Sequence, residues 1–249
     1  MNSSGTECSR TGMIRAHIIP RGFARDITSS QSHNLKITAS SVSKTNHGVY
    51  DSQLLCETCD NFLGEYDRYA LDVFRRFPTE AVIFDDNTFV MRNVDGDKLA
   101  KFVLSVLWRA SVTDRPEFKK VRLGVYEAAA REVIFESKSV ASMPEYQLMV
   151  SLYRAPPGQS DDFATHLYTS PVMGMGVDGL NIWHFALHGF KILAKLDRRP
   201  FPSFLRPHIL NGNDRMAGCV MNYEDGTEHR DTLDMAAADL ARKSAKQKS

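Results

Sequence analysis

The chain reads as an α+β protein in two parts, on three observations. Apolar residues alternate at period two in some stretches and recur at three and four in others, so both strands and helices are expected. At 249 residues and 43% hydrophobic, it can bury a sizeable core, as one large domain or as a small unit followed by a larger one. A helix pattern closed by Pro78 separates a His- and Cys-bearing stretch, 1–77, from a run of strand and helix patterns over 78–249.

In chain order, Ala16-His17-Ile18-Ile19 is a short apolar strand. Residues 28–48 are polar and poor in large apolar side chains, which predicts a long loop or irregular hairpin. After Cys59, the positions Phe62, Leu63, Tyr66, Tyr69, Ala70, Val73 and Phe74 recur at helical spacing and predict an amphipathic helix to about Arg76. Residues 80–92 alternate as a hairpin, with Asp85-Asp86-Asn87 as its turn. Asp95 can cap a helix carrying Leu99, Phe102, Val103, Val106 and Leu107, running to about Ser111. A further helix is expected over 122–136 and a strand over 145–154, ended by Ala-Pro-Pro-Gly. Residues 181–196 read as a second hairpin, with Ile182, His184, Ala186 and His188 set against Trp183, Phe185 and Leu187. Gly174–Gly179 reads as a flexible loop, and the basic tail over 237–249 as fraying.

Composition excludes several classes. No apolar run approaches the ~18 residues of a membrane span. The first residues lack a basic region followed by an apolar one, so no secretory signal is expected. Four Cys, two of them as Cys56-Glu57-Thr58-Cys59, fit metal binding in a reducing compartment better than a disulfide framework, and a cytoplasmic location is the expectation. A net charge of +1 does not itself announce nucleic acid, but its distribution is suggestive. Residues 1–44 hold Arg10, Arg15, Arg21, Arg25, Lys36 and Lys44 against Glu7 and Asp26. Residues 51–72 hold Asp51, Glu57, Asp60, Glu65, Asp67 and Asp72 against Arg68. A basic arm to face phosphates beside an acidic arm to hold a divalent cation suits a metal nuclease, and two ordinary solvated surfaces would look the same.

The sharpest signal is His17 in Ala16-His17-Ile18-Ile19-Pro20-Arg21, followed some thirty residues later by Leu54-Leu55-Cys56-Glu57-Thr58-Cys59-Asp60-Asn61 opening a helix. This arrangement resembles the HNH nucleases, whose fold is the ββα-metal (HNH-like) module. The resemblance implies such a module over 1–77 and a mixed α+β companion domain over 78–249. It implies a metal-dependent nuclease acting on DNA ahead of RNA. His17 would be the general base, Asp51 its orienter, and Asp60 with Asn61 the contacts to Mg²⁺ or Mn²⁺, while Arg15, Arg21 and Arg25 would clamp phosphates. Ala16 departs from the family where an Asp, Glu or His often ligates the metal. The ion could be held by Asp60 with Asp51 or another carboxylate, His17 could itself be a ligand, or the site could be inert.

The Cys pair is half of a tetrahedral zinc knuckle. Upstream only Cys8 remains, so a structural Zn²⁺ would take Cys8, Cys56 and Cys59 with His33 or His47, and otherwise the pair is a buried apolar couple. The stretch from Gly48 to Ala70, with Lys101–Ser111, is also similar to bacterial and phage-associated proteins that begin with an HNH-like knuckle, a degenerate branch. The likeness spans about residues 8–135. It allows a second function, a catalytically inactive adaptor in phage defence that binds nucleic acid, or a protein partner through 78–249. Trp108 and Cys219 are expected in the core, and His184 with His188 on one strand face could meet a metal.

Overall fold

The computed structural model describes residues 12–30, 34–38, 41–45, 48–136, 138–159, 165, 168–227, 229, 230, 234 and 237; the side chains of 27–30, 34–38, 41–45 and Val177 lie outside that description. Helices and strands coexist, as an α+β chain requires, and they form two layers.

A ribbon of two short antiparallel strands comes first, β1 (Ala16–His17) with β4 (Tyr50–Asp51), pairing Ala16 with Asp51 and His17 with Tyr50. Between them lie α1 (Arg21–Ser30) and a hairpin, β2 (Asn34–Thr38) with β3 (Ser41–Thr45). Helix α1 was not expected. Its described apolar anchors are only Phe23 and Ala24, too few to show a stripe, and tertiary contact completes it. Arg75 of the next helix grips Asp26 through two bonds of 2.8 and 2.6 Å.

That helix, α2 (Glu57–Glu80), buries Cys59, Leu63, Tyr66, Ala70, Val73, Phe74 and Phe77 along one stripe. It runs past Pro78, where an end was expected. In the last turn proline removes one donor only, and Ala81 still donates to Phe77 O at 3.0 Å. The boundary placed near residue 77 thus falls inside a helix, and one apolar core continues across it, from Ala16 to Met216.

Helix α3 (Gly96–Val112) starts where Asp95 caps it, its carboxylate accepting from Lys98 N at 3.0 Å. It is buried on every side rather than along one stripe, because α2, α4 (Glu127–Phe135) and the sheet all pack on it. Trp108 lies in the core as expected, edge-on to Phe135.

Among the described residues the sheet has seven strands, in the order β5-β6-β11-β7-β10-β9-β8. β5 (Val82–Ile83) and β6 (Thr88–Arg92) form the first predicted hairpin, and β7 (Tyr146–Arg154) is the predicted strand. β9 (Asn181–Leu187) and β10 (Phe190–Leu196) form the second hairpin, turned at His188 and Gly189, both at positive φ, the geometry of a tight two-residue hairpin. β8 (Val172–Met175) replaces part of the expected loop, and β11 (Arg215–Asn222) inserts between β6 and β7, parallel to the latter. Gly218 permits this insertion, since a Cβ there would lie 2.2 Å from Val150 O.

Phe89, Met91, Leu148, Val150, Phe185, Phe190 and Ile192 face the helices. The opposite face is covered in part by the 3₁₀ segment Ser203–His208. Cys219, expected in the core, is exposed instead, because strand alternation puts it on the face opposite to Met216. Among the described residues, no helix is long and apolar enough to cross a membrane. The tail beyond Ala237 lies outside the described residues.

Candidate nucleic-acid interface

A two-residue ladder sorts its side chains cleanly. Ala16 and Asp51 share the inner face, and His17 and Tyr50 the outer one. On the inner face Ala16 is fully buried. Asp51 accepts from Gln53 N at 2.8 Å and from the Thr113 hydroxyl at 2.5 Å, which ties the ribbon to the end of α3. The residue opposite His17 is therefore Tyr50, and Asp51, the expected orienter, faces the other way in a structural role.

On the outer face the His17 and Tyr50 rings lie 6.0 Å apart, and the Arg15 guanidinium sits 5.3 Å over the Tyr50 ring. Arg15 and Tyr50 are exposed, and His17 is half-buried. Gly48 lies beneath this group with a φ of +69°, and a Cβ there would sit 3.7 Å from the His17 ring and 3.5 Å from the Tyr168 hydroxyl. Tyr168 thus reaches the ribbon from beside β9, where it bridges to Leu187. Among the described residues its hydroxyl is buried without a hydrogen bond of full geometry, although the Val49 amide faces it and opposes the effect of burial. Burial pushes this phenol up to about 12, so it stays neutral.

Behind the ribbon stands a residue that sequence reading passed over. Arg109 of α3 is 1% exposed and donates to His17 O at 3.0 Å, to both Asp67 oxygens at 3.0 and 2.8 Å, and to Ser105. The charge of Arg109 was visible in the sequence, but its neighbour Trp108 and the apolar helix around it read as core. Asp60, in the first turn of α2, belongs to the same electrostatic group. Burial raises its carboxyl, the Arg109 guanidinium opposes that rise, and Asp67 adds to it. Through Arg109 the backbone of His17 and the carboxylate of Asp60 meet one fixed positive charge.

Asn61 is exposed on α2, and Arg21 and Arg25 are exposed on α1. Cys56 occupies the N-cap position of α2 and Cys59 lies in its first turn; both are buried in the same core as Leu55 and Leu63. The chain before the ribbon returns to them, since Met13 bridges to Cys56 and Glu57 N donates to Gly12 O. Cys8, His33 and His47 lie outside the described residues. Among the described residues no three His, Cys, Asp or Glu side chains converge as a metal would need.

His184 and His188 part company. His184 lies 3.4 Å from the Thr227 hydroxyl on the face away from the helices, whereas His188, in the turn, packs against Phe23 and Phe74. Comparison with protein-family models, with curated proteins and with solved structures returns no match.

Proposed function

We propose that this chain binds nucleic acid, DNA ahead of RNA, through an HNH-like unit at its N-terminal end, in the manner of an adaptor that does not cleave. The outer face of the ribbon carries the reading: a guanidinium over an exposed tyrosine ring, next to an imidazole, on a backbone that Arg109 grips from behind. Arginine can pair with a phosphate while the aromatic face accepts a base. Arg21 and Arg25 add two exposed cations on α1, the helix that follows the His17 strand. Binding is favoured over cleavage because Ala16 has no ligating atom and Asp51 is engaged by Gln53 and Thr113. A second reading keeps His17 as general base in a Mg²⁺- or Mn²⁺-dependent nuclease, with Asp60 and Asn61 as metal contacts. The sharing of Arg109 by His17 and Asp60 supports it. In either case Cys56 and Cys59 could hold a structural Zn²⁺ only with further donors such as Cys8. A protein partner over 78–249 and a cytoplasmic setting belong to the same proposal.

Fluorescence anisotropy with a short labelled duplex and with single strands tests the reading, in low salt and in about 0.2 M salt. The parent should bind, and more weakly in the higher salt. Replacing Arg15 and Tyr50 by Ala should weaken binding by about 5- to 100-fold, the scale of one lost stacking contact. A duplex that binds equally well to that variant would remove the ribbon from the interface. Incubation with plasmid in Mn²⁺ separates the two readings: cleavage that His17→Ala abolishes would establish the nuclease.

A further inference from the structure

The outer face of the sheet, remote in sequence from the ribbon, carries an unusual pair of charges. Arg92 ends β6 and Arg215 opens β11, and the register sets them directly opposite each other. Their neighbours Met91 and Met216 are buried against the helices, so alternation sends both arginines to the other face. Like charges directly opposed on neighbouring strands destabilise a sheet. Both side chains are exposed, and among the described residues neither donates a hydrogen bond or pairs with a carboxylate, Asp214 included. The 3₁₀ segment Ser203–His208 packs on this face and touches β11.

The geometry points to a phosphate-binding site between Arg92 and Arg215. Directly opposed residues on antiparallel strands hold their Cβ atoms about 4.5–5.5 Å apart, close enough for two guanidinium forks to close on one tetrahedral oxyanion. The planar fork suits that task better than an ammonium would. Without an anion the two charges repel; with one bound, each finds its partner. The ligand class is a phosphate group, whether in a free phosphate compound or in a nucleic-acid backbone. The site does not depend on the ribbon and stands whether or not the ribbon binds nucleic acid.

Inorganic phosphate is the probe, set against sodium chloride at matched ionic strength. The full-length parent should melt several degrees higher in phosphate, since a ligand that binds only the native state stabilises it. By calorimetric titration, Arg92→Gln and Arg215→Gln should each weaken phosphate binding by about tenfold or more, the scale of a lost charge-assisted hydrogen bond. In phosphate-free buffer either variant should melt no lower than the parent, because the repulsion is gone, and a folding defect would move the other way. A labelled duplex distinguishes the sources. Weaker duplex binding by the double Gln variant assigns the site to a nucleic-acid backbone, and unchanged duplex binding assigns it to a free phosphate compound. Phosphate that stabilises no better than chloride, or stabilisation that survives both substitutions, would overturn the site.

Discussion

Where the sheet meets α2, phenylalanines hold the layers together. Phe190 lies 4.9 Å from Phe74 and 4.8 Å from Phe77 between ring centres, and Phe77 meets Phe89 edge-on at 5.1 Å. Where the ribbon meets α2 and α3, directional polar bonds join the apolar contacts. Arg109 grips Asp67 and the His17 carbonyl, and Thr113 grips Asp51. Apolar packing fixes how two layers sit but leaves small shifts cheap. A buried forked ion pair bonded to a backbone carbonyl fixes one strand against one helix. The element with the functional reading is held by the more exacting device, and the scaffold by the more forgiving one.

The largest effect should come from the scaffold. Phe190→Ala removes the ring at the centre of the aromatic cluster, in a fully packed site, and should cost about 4 kcal/mol of unfolding free energy. Because one core runs from Ala16 to Met216, urea denaturation should show the ribbon and the sheet losing stability together. A ribbon that unfolds in a separate transition would divide the molecule into the two parts expected over 1–77 and 78–249.

Arg109→Leu comes next, at about 3 kcal/mol, because it leaves the Asp67 carboxylate, 16% exposed, without its partner. Its effect should be local as well as global. Hydrogen exchange should rise around residues 14–19 and 48–52 more than in β7 or β10, since the His17 carbonyl has lost its donor. Combining it with Asp67→Leu should recover much of the loss, as replacing both members of a buried pair often does. If Arg109→Leu loosened the sheet as much as the ribbon, the contrast between the two devices would fail.

Legibility in the sequence followed the same division. The sheet's long strands announce themselves by alternation, as in Tyr146–Arg154 and the hairpin over 181–196, and α3 by its capping Asp95. β8 and β11 escaped because glycines at 174, 176 and 218 break the apolar pattern, while the gap at Gly218 is what lets β11 approach β7. At the ribbon, His17, Cys56 and Cys59 were legible as residue types, but their partners were not. A two-residue strand has too short a period to fix register, so nothing before the structure could tell that Tyr50 rather than Asp51 lies opposite His17. Arg109 lies 92 residues from His17, and no local pattern links them.

The smallest predicted effect sharpens the comparison at Asp60, the carboxylate that shares Arg109's field through charge alone. Burial is the largest influence on this group and raises its folded-state pKa above the unfolded value; Arg109 lowers it and Asp67 raises it further. A carboxyl raised in this way favours the folded state while protonated, and that contribution is lost as pH rises through the folded pKa. At pH 7 the charged Asp60 therefore costs stability, and Asp60→Asn, which keeps the shape and drops the charge, should melt about 1–2 °C higher than the parent. The gap should narrow as pH falls through the carboxyl's folded pKa and close only below its ordinary value, where Asp60 is protonated in the unfolded chain as well. Melting curves of both proteins from about pH 3 to pH 8 give the answer. A variant less stable than the parent at pH 7 would show that attraction to Arg109 outweighs burial, and would make Asp60 a third member of the ion pair that holds the ribbon.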